Sequence, residues 1–170
     1  LTLAAGLAAA TFGLAPAMAH ANEVTKIAFM EVIHSLFYSP LYVALDRGYF
    51  EEEGIAFDLV AGQGSDKVTA ALLGGSVDIA LAGPETTIYV ETGKSPEKIR
   101  IFAGLTATDG SFLVGREPGQ GTFDWASLKG KTILGWREGS SPALFLREAL
   151  TKAGLDPDED VEIITNVAIP

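Results

Sequence analysis

The chain has 170 residues, a formal net charge of −10 and no cysteine. The acidic balance argues against nucleic acid and anionic membranes as partners, because both carry negative charge. The lack of cysteine excludes disulfides, thiolate nucleophiles and cysteine-based metal sites within this sequence. Only two histidines are present, and His20 lies in the N-terminal segment, so we expect neither a metal site nor a cofactor.

The first 21 residues have the pattern of a secretory signal peptide. Residues 1–21 contain no Lys, Arg, Asp or Glu, and their apolar run breaks at Pro16 before small residues that suit cleavage after Ala19 or Ala21. A single membrane anchor is the alternative, but the run is too short and too rich in Ala and Gly to span about 20 residues of bilayer comfortably. No cysteine follows, so we expect a soluble periplasmic protein without a lipid anchor. The positively charged start of such a peptide is missing, and we expect a clipped N-terminus.

Predicted strands and helices alternate between residues 22 and 106. Ser39-Pro40 illustrates a helix start, because Ser is a favoured N-cap and Pro fits the first helical turn. The predicted elements are strand 25–30, helix 40–47, strand 55–61, helix 66–73, strand 77–82, a helix opened by Gly83-Pro84-Glu85 that stops at Gly93, and strand 100–106. This alternation is typical of an α/β fold with a largely parallel sheet, and we assign residues 22–106 to a first lobe.

A second, smaller α/β unit is predicted to begin at residue 122. Its features and those leading to it are an extended run at 112–114, a Gly- and charge-rich segment at 115–121, a turn and strand at 128–136, helix 142–152 and strand 161–165. We assign residues 107–121 to a hinge or linker and residues 122–170 to a partial second lobe. A sheet of two or three strands exposes its edges, so we expect the natural chain to continue beyond this truncated lobe.

Four helix starts follow predicted strands. They are Ser39-Pro40, Gly64-Ser65-Asp66, Gly83-Pro84 and Ser141-Pro142. In an open α/β sheet, such starts lie at the carboxyl ends of the strands, where ligands bind, and each offers free backbone N–H groups and a partial positive charge. Any one of them is explained as an ordinary helix cap. All four together, over two lobes, predict a shared site for a polar or anionic group.

Side chains near these starts suggest ligand contacts. The loop that contains His34, Phe37 and Tyr38 is aromatic for an exposed connection, so its rings could sandwich a flat ligand, with His34 as a hydrogen-bond partner. Alternatively, the two aromatic residues form the hydrophobic staple of the next helix. The negative charges of Asp66 and Glu85 are stabilised at helix N-termini even without a ligand. If these two side chains face the cleft, they favour an amine as ligand.

Trp136 either closes over a ligand ring from the second lobe or packs in its core. The complete set of predicted ligand-binding residues is His34, Phe37, Tyr38, Ser39, Gln63, Ser65, Asp66, Gly83, Glu85, Trp136, Ser140 and Ser141.

We find no defensible catalytic set: the sequence offers no His-acid-Ser arrangement, and Gly62-Gln63-Gly64 lacks the rest of a dinucleotide fingerprint.

Three segments resemble a known family. Residues 34–55 read HSLFYSPLYVALDRGYFEEEGI, residues 73–80 read LGGSVDIA and residues 128–133 read LKGKTI. Their order and spacing are similar to those of solute-binding proteins of ABC importers, of the nitrate/sulfonate/taurine and thiamine-pyrimidine precursor type. The resemblance implies a type II-like periplasmic binding protein fold, with one nearly complete lobe here and the start of a second. It also implies a small-molecule solute held between the lobes by the strand-to-helix loops, and an ABC permease in the inner membrane as partner to a monomer.

Two alternatives remain beside this interpretation. The fungal pyrimidine synthase of thiamine biosynthesis resembles these binding proteins, but it carries a Cys-rich segment that this chain lacks, so we predict that the chain is not an enzyme. The ligand-binding module of a sensor is the second alternative. Backbone donors at helix starts suit a sulfonate, nitrate or other anion, whereas the aromatic residues with His34, Asp66 and Glu85 suit an aminopyrimidine-like heterocycle, which we prefer.

Overall fold

The computed structural model describes residues 24–116 and 121–165, so the predicted signal peptide lies outside the described residues. The strands are β1 (Thr25–Glu31), β2 (Ile55–Ala61), β3 (Ile79–Leu81), β4 (Thr132–Leu134) and β5 (Glu162–Ile164). The α-helices are α1 (Ser39–Asp46), α2 (Tyr49–Glu52), α3 (Ser65–Leu73), α4 (Glu85–Thr92) and α5 (Ser141–Lys152). Short 3-10 helices cover Leu36–Tyr38 and Trp125–Leu128. No helix in the described ranges is long and apolar enough to cross a bilayer.

The first sheet has three parallel strands in the order β2-β1-β3. The central strand β1 pairs with β2 along its whole length, from Thr25 opposite Ile55 to Glu31 opposite Ala61. It pairs with β3 only over its last three residues, from Phe29 opposite Ile79 to Glu31 opposite Leu81. The register therefore brings the carboxyl ends of all three strands to one edge.

Apolar side chains pack around the first sheet. Phe29, Val68 and Val77 are buried, and Phe57 packs against the rings of both Phe29 and Phe50. Burial alternates along the second half of β2, where Asp58 and Val60 are exposed and Leu59 is half-buried, so one side of this strand faces solvent.

The second sheet consists of β4 and β5, which run parallel. Helix α5 covers it through Leu150, which is completely buried. The cluster around this side chain comprises Ile133, Leu155 and Val161, with Trp125, Leu128, Leu146 and Ile163 packed against it. This small core is separate from the core of the first sheet.

The predicted α/β arrangement of parallel strands and helices is confirmed, although its local assignments are not all correct. Residues 55–61 and helix α5 match their predicted positions closely, but residues 100–106 are irregular rather than a fourth strand. An apolar run becomes a strand only where a neighbour supplies backbone partners, and no backbone hydrogen bond joins 100–106 to another strand of the described residues. Ile101 and Phe102 are accordingly exposed. Residues 112–114, predicted as a short extended run, belong to no helix or strand of the described residues.

Candidate functional site

The loops after the first three strands open onto one cleft. Because β1, β2 and β3 are parallel, these loops leave from the same edge of the sheet, which is where open α/β folds bind ligands. The loop between β4 and α5 faces the same cleft, whose volume is about 820 Å³. The predicted site residues that line it are Phe37, Tyr38, Ser65, Gly83, Glu85, Trp136, Ser140 and Ser141.

A smaller cavity of about 350 Å³ shares Ser65 and Ser140 with this cleft. Asp66 lines it, together with Arg137 and Tyr89. The structure therefore gathers nine of the twelve predicted residues around two adjoining spaces.

The other three predicted residues lie outside both cavities. Ser39 is in the first turn of α1, and its hydroxyl donates to the carbonyl oxygen of Leu36 at 2.5 Å. Gln63 is exposed at a turn with a positive φ of 59°. His34 projects outwards, with 71% of its side chain exposed. Local turn geometry, rather than the cleft, accounts for the first two positions.

His34 caps a buried carboxylate that sequence reasoning missed. Glu31 is the last residue of β1 and is completely buried. One of its oxygens contacts Nδ1 of His34, and the other accepts a hydrogen bond from the hydroxyl of Tyr42 at 2.7 Å. The Tyr42 hydroxyl in turn accepts from the backbone N–H of Ser35 at 3.0 Å. The available signal was an acidic residue directly after the apolar run 27–30, at the end of a strand.

These contacts fix the first loop beneath the cleft. Burial, and then the hydrogen bond to Glu31, raise the pKa of Tyr42 above its usual range, so this hydroxyl remains a donor at neutral pH. A buried carboxylate requires such partners, because desolvation of an unpaired charge costs several kcal/mol. The network therefore holds the loop that presents Phe37 and Tyr38.

Tyr38 occupies an acidic part of the cleft. Burial raises the pKa of its hydroxyl most, and the charges of Glu31, Asp109 and Glu85 raise it further. Asp109 was not among the predicted residues; it is brought close by the segment 109–111, where the ring of Phe37 packs directly on Gly110. Glu85 and Asp109 line the cleft together with Tyr38, and Lys98 and Arg100 line it as well.

Glu85 connects the start of α4 to the start of α5. Its side chain is only 8% exposed although it begins α4. One carboxylate oxygen accepts from the backbone N–H of Ser141 at 3.2 Å, and the other accepts from the Ser141 hydroxyl. Ser141 is the first residue of α5, so the carboxylate sits on that helix's N-terminus.

Two further contacts attach the loop before α5 to the first sheet's helices. Arg137 donates to Asp66 at 2.7 Å, and the hydroxyl of Tyr89 donates to the carbonyl oxygen of Gly139 at 3.0 Å. Burial raises the pKa of Asp66, but the hydrogen bonds and charge of Arg137 outweigh it, so the net pKa is lowered. The Asp66 carboxylate is consequently engaged within the protein.

The site offers hydrogen bonding, aromatic contact and negative charge. Within residues 24–116 and 121–165, no group of three His, Asp or Glu side chains is arranged to hold a metal ion. The arrangement of the described residues is suited to holding a molecule, by Tyr38 and Trp136 as aromatic surfaces and by Glu85 and Asp109 as acceptors.

Comparisons with known proteins identify one family whose relatives carry two kinds of name. The NMT1/THI5-like family matches residues 37–169. A Bacillus subtilis (strain 168) protein named "Putative binding protein YtlA" is 46% identical over 146 residues, or 86% of this chain and 43% of that protein. A Schizosaccharomyces pombe protein named 4-amino-5-hydroxymethyl-2-methylpyrimidine phosphate synthase is 28% identical over 138 residues, or 81% of this chain and 38% of that protein.

A solved structure of a Bordetella bronchiseptica RB50 protein has a similar fold. It matches with a TM-score of 0.58 and 26% identity over 88% of this chain and 46% of that one. The chain spans less than half the length of each of these relatives.

Proposed function

Because the chain belongs to the NMT1/THI5-like family, we propose that it captures a small polar organic solute as the extracytoplasmic solute-binding component of an ABC importer. The family resemblance and the α/β fold of the periplasmic binding protein kind are both confirmed. The relative named as a binding protein supports a solute-binding role. The cleft at the carboxyl ends of the parallel strands is where we expect the solute to bind.

The rest of the transport assignment is part of the same proposal. Residues 1–21 direct export, and an inner-membrane permease receives the solute. Residues 22–106 and 122–170 form parts of two lobes joined by residues 107–121, an interpretation supported by the two separate sheets and their separate cores.

The ligand we favour is an aminated heterocycle of the aminopyrimidine class. The supporting observation is that the carboxylates of Glu85 and Asp109 line the cleft with Tyr38, whose pKa both charges raise. Glu85 and Asp109 line the cleft beside Tyr38 and Trp136, and a carboxylate accepts hydrogen bonds from amino groups and repels a sulfonate or nitrate at close range. The fungal relative's name contains an aminopyrimidine, which agrees with this chemistry.

A pyrimidine synthase is the competing function, because two fungal relatives carry that name at 28% and 29% identity. We favour binding without catalysis, since the more similar relative is named as a binding protein at 46% identity.

Ligand titration of the full-length protein tests this proposal. With 4-amino-5-hydroxymethyl-2-methylpyrimidine at 100 times its Kd, ligand linkage is expected to add about 2.7 kcal/mol to the free energy of unfolding, measured as a rise in Tm and checked by calorimetric titration. Taurine and nitrate at the same concentration are expected to leave Tm unchanged.

Tyr38→Ala is expected to weaken pyrimidine binding, because Tyr38 lines the cleft. Tyr49→Ala is the matched control, since Tyr49 is an exposed residue of α2 outside both cavities. A Tm rise with taurine and none with the pyrimidine would contradict the ligand assignment. Turnover of the pyrimidine into a new product would favour the enzyme.

A further inference from the structure

We propose that Glu85 is a specificity-determining residue, whose carboxylate occupies the N-terminus of α5 and thereby excludes oxyanions from the cleft. The inference rests on the proposed function, because it concerns the same cleft. According to this inference, the Glu85 side chain is what prevents anionic solutes from binding in the cleft.

The geometry of the contact is that of an anion bound at a helix start. The first N–H groups of a helix have no partner within the helix and carry a partial positive charge, so they attract anions. In α5, a helix of 12 residues, the N–H and the hydroxyl of Ser141 both donate to the Glu85 carboxylate. An anionic solute would need these same donors.

The carboxylate is fitted to this position by its surroundings. Gly83 lies directly against it, and a Cβ there would collide with the carboxylate oxygens. Glu85 is 8% exposed, so its charge is poorly screened by water. The absence of a side chain at residue 83 therefore leaves the space that the carboxylate fills.

The charge also acts on the cleft itself. Glu85, Ser140 and Ser141 all line it, and the charge of Glu85 contributes to the raised pKa of Tyr38 on the opposite loop. A solute oxyanion would meet a like charge at the very donors it requires. An amino group would instead find an acceptor.

If Glu85 has only a structural role, a different experimental result is expected. If Glu85 only fastens α5 to α4, its removal lowers stability but gives no new affinity for anions. If it excludes anions, its removal exposes the α5 N-terminus, and oxyanion affinity rises although the protein has become less stable. Oxyanion affinity is therefore the informative measurement.

The test uses full-length protein and titrates sulfate and taurine into wild type and Glu85→Ala, with sodium chloride matching the ionic strength. We expect the affinity of Glu85→Ala for sulfate to exceed that of wild type by at least about tenfold, since a like charge a few ångströms away is removed. Glu52→Ala is the matched control: it loses the same charge from an exposed position in α2, outside both cavities, and its sulfate affinity is expected to equal that of wild type.

Glu85→Gln serves as the second variant in case Glu85→Ala does not fold by circular dichroism. It keeps the shape of the side chain and removes the charge, so a rise in sulfate affinity is expected there as well. Unchanged sulfate affinity in whichever variant folds would overturn the inference. Pyrimidine binding by wild type is scored separately, so its failure would refute the proposed ligand while leaving the result with sulfate intact.

Discussion

At the scale of single residues, the most consequential side chain is Glu31. A carboxylate that is completely buried at the end of the central strand is stable only if its oxygens are engaged, and Tyr42 supplies a well-formed hydrogen bond at 2.7 Å. The contact of His34 with the other oxygen explains why this histidine faces away from the cleft. From the sequence, His34 is proposed as a ligand contact because it lies in an aromatic loop, whereas its contact with Glu31 is visible only in the structure.

Tyr42→Phe is expected to lower the free energy of unfolding by about 1–3 kcal/mol. The change removes a donor to a buried carboxylate and an acceptor for the N–H of Ser35, and unsatisfied buried groups cost about that much. Urea unfolding measures the loss. Tyr49→Phe, which removes a hydroxyl from an exposed tyrosine, is the control and is expected to change stability by less than about 0.5 kcal/mol. Equal effects of the two changes would show that the buried network contributes nothing.

At the scale of elements, the turn between β2 and α3 sets the geometry beside the cleft. Gly62-Gln63-Gly64 reverses the chain in three residues, with φ of 59° at Gln63 and 145° at Gly64. Only glycine adopts the second conformation readily. Gly64 also lies under the ion pair of Asp66 and Arg137, where a Cβ would come within 2.5 Å of the aspartate and 2.8 Å of the arginine. The turn therefore both starts α3 and leaves room for a contact with the β4–α5 loop.

Gly64→Ala is expected to destabilise the protein by about 1–3 kcal/mol from backbone strain, with a further loss because the ion pair must move. Gly54→Ala is the matched control: its φ is also positive, at 73°, but a Cβ there meets nothing within 4 Å. We therefore expect a clearly larger fall in Tm for Gly64→Ala than for Gly54→Ala. The reverse order would mean that the crowding at Gly64 has no energetic effect.

At the scale of the whole molecule, two small α/β units meet through polar contacts. Glu85 with Ser141, Asp66 with Arg137 and Tyr89 with Gly139 connect the helices of the first sheet to the loop before α5. Each unit keeps its own apolar core. Interfaces of this kind are more polar than obligate ones and resemble transient protein–protein interfaces, so relative motion of the two units is expected.

The Asp66–Arg137 contact is expected to make stability depend on acid pH. The folded state lowers the pKa of Asp66, so the stabilisation is present above the unfolded value of about 3.9 and is lost as pH falls through the folded pKa. Asp66→Asn should lower Tm slightly at pH 7, by the equivalent of about 1 kcal/mol or less because the pair is largely exposed. The difference from wild type should disappear near pH 2.

A double-mutant cycle provides the control for this pair. In an Arg137→Gln background, Asp66→Asn is expected to have no effect on Tm at either pH, because the partner is already gone. A persisting difference would assign the pH dependence to other contacts of Asp66.

Much of the fold was predictable because it depends on local pattern. The apolar run 55–61 became β2 with the same bounds, and Ser141-Pro142 began α5 as expected. Residues 100–106 were wrongly assigned to a strand, because an apolar run does not specify whether a neighbouring strand is available to pair with it. Nine of the twelve residues proposed as ligand contacts line the two cavities, and their role in binding stays a prediction. Asp109 was missed because no pattern links residue 109 to the loop at residue 38.

The sequence by itself determined the acidic balance, the absence of cysteine, the alternation of strands and helices and the family. These follow from composition and from spacing along the chain. Only the tertiary structure decided that Glu31 is buried behind His34, that Asp109 approaches Tyr38 and that the Glu85 carboxylate occupies the start of α5. Each of these depends on a pair of segments brought together by packing, and Glu85 and Ser141 are 56 residues apart in sequence.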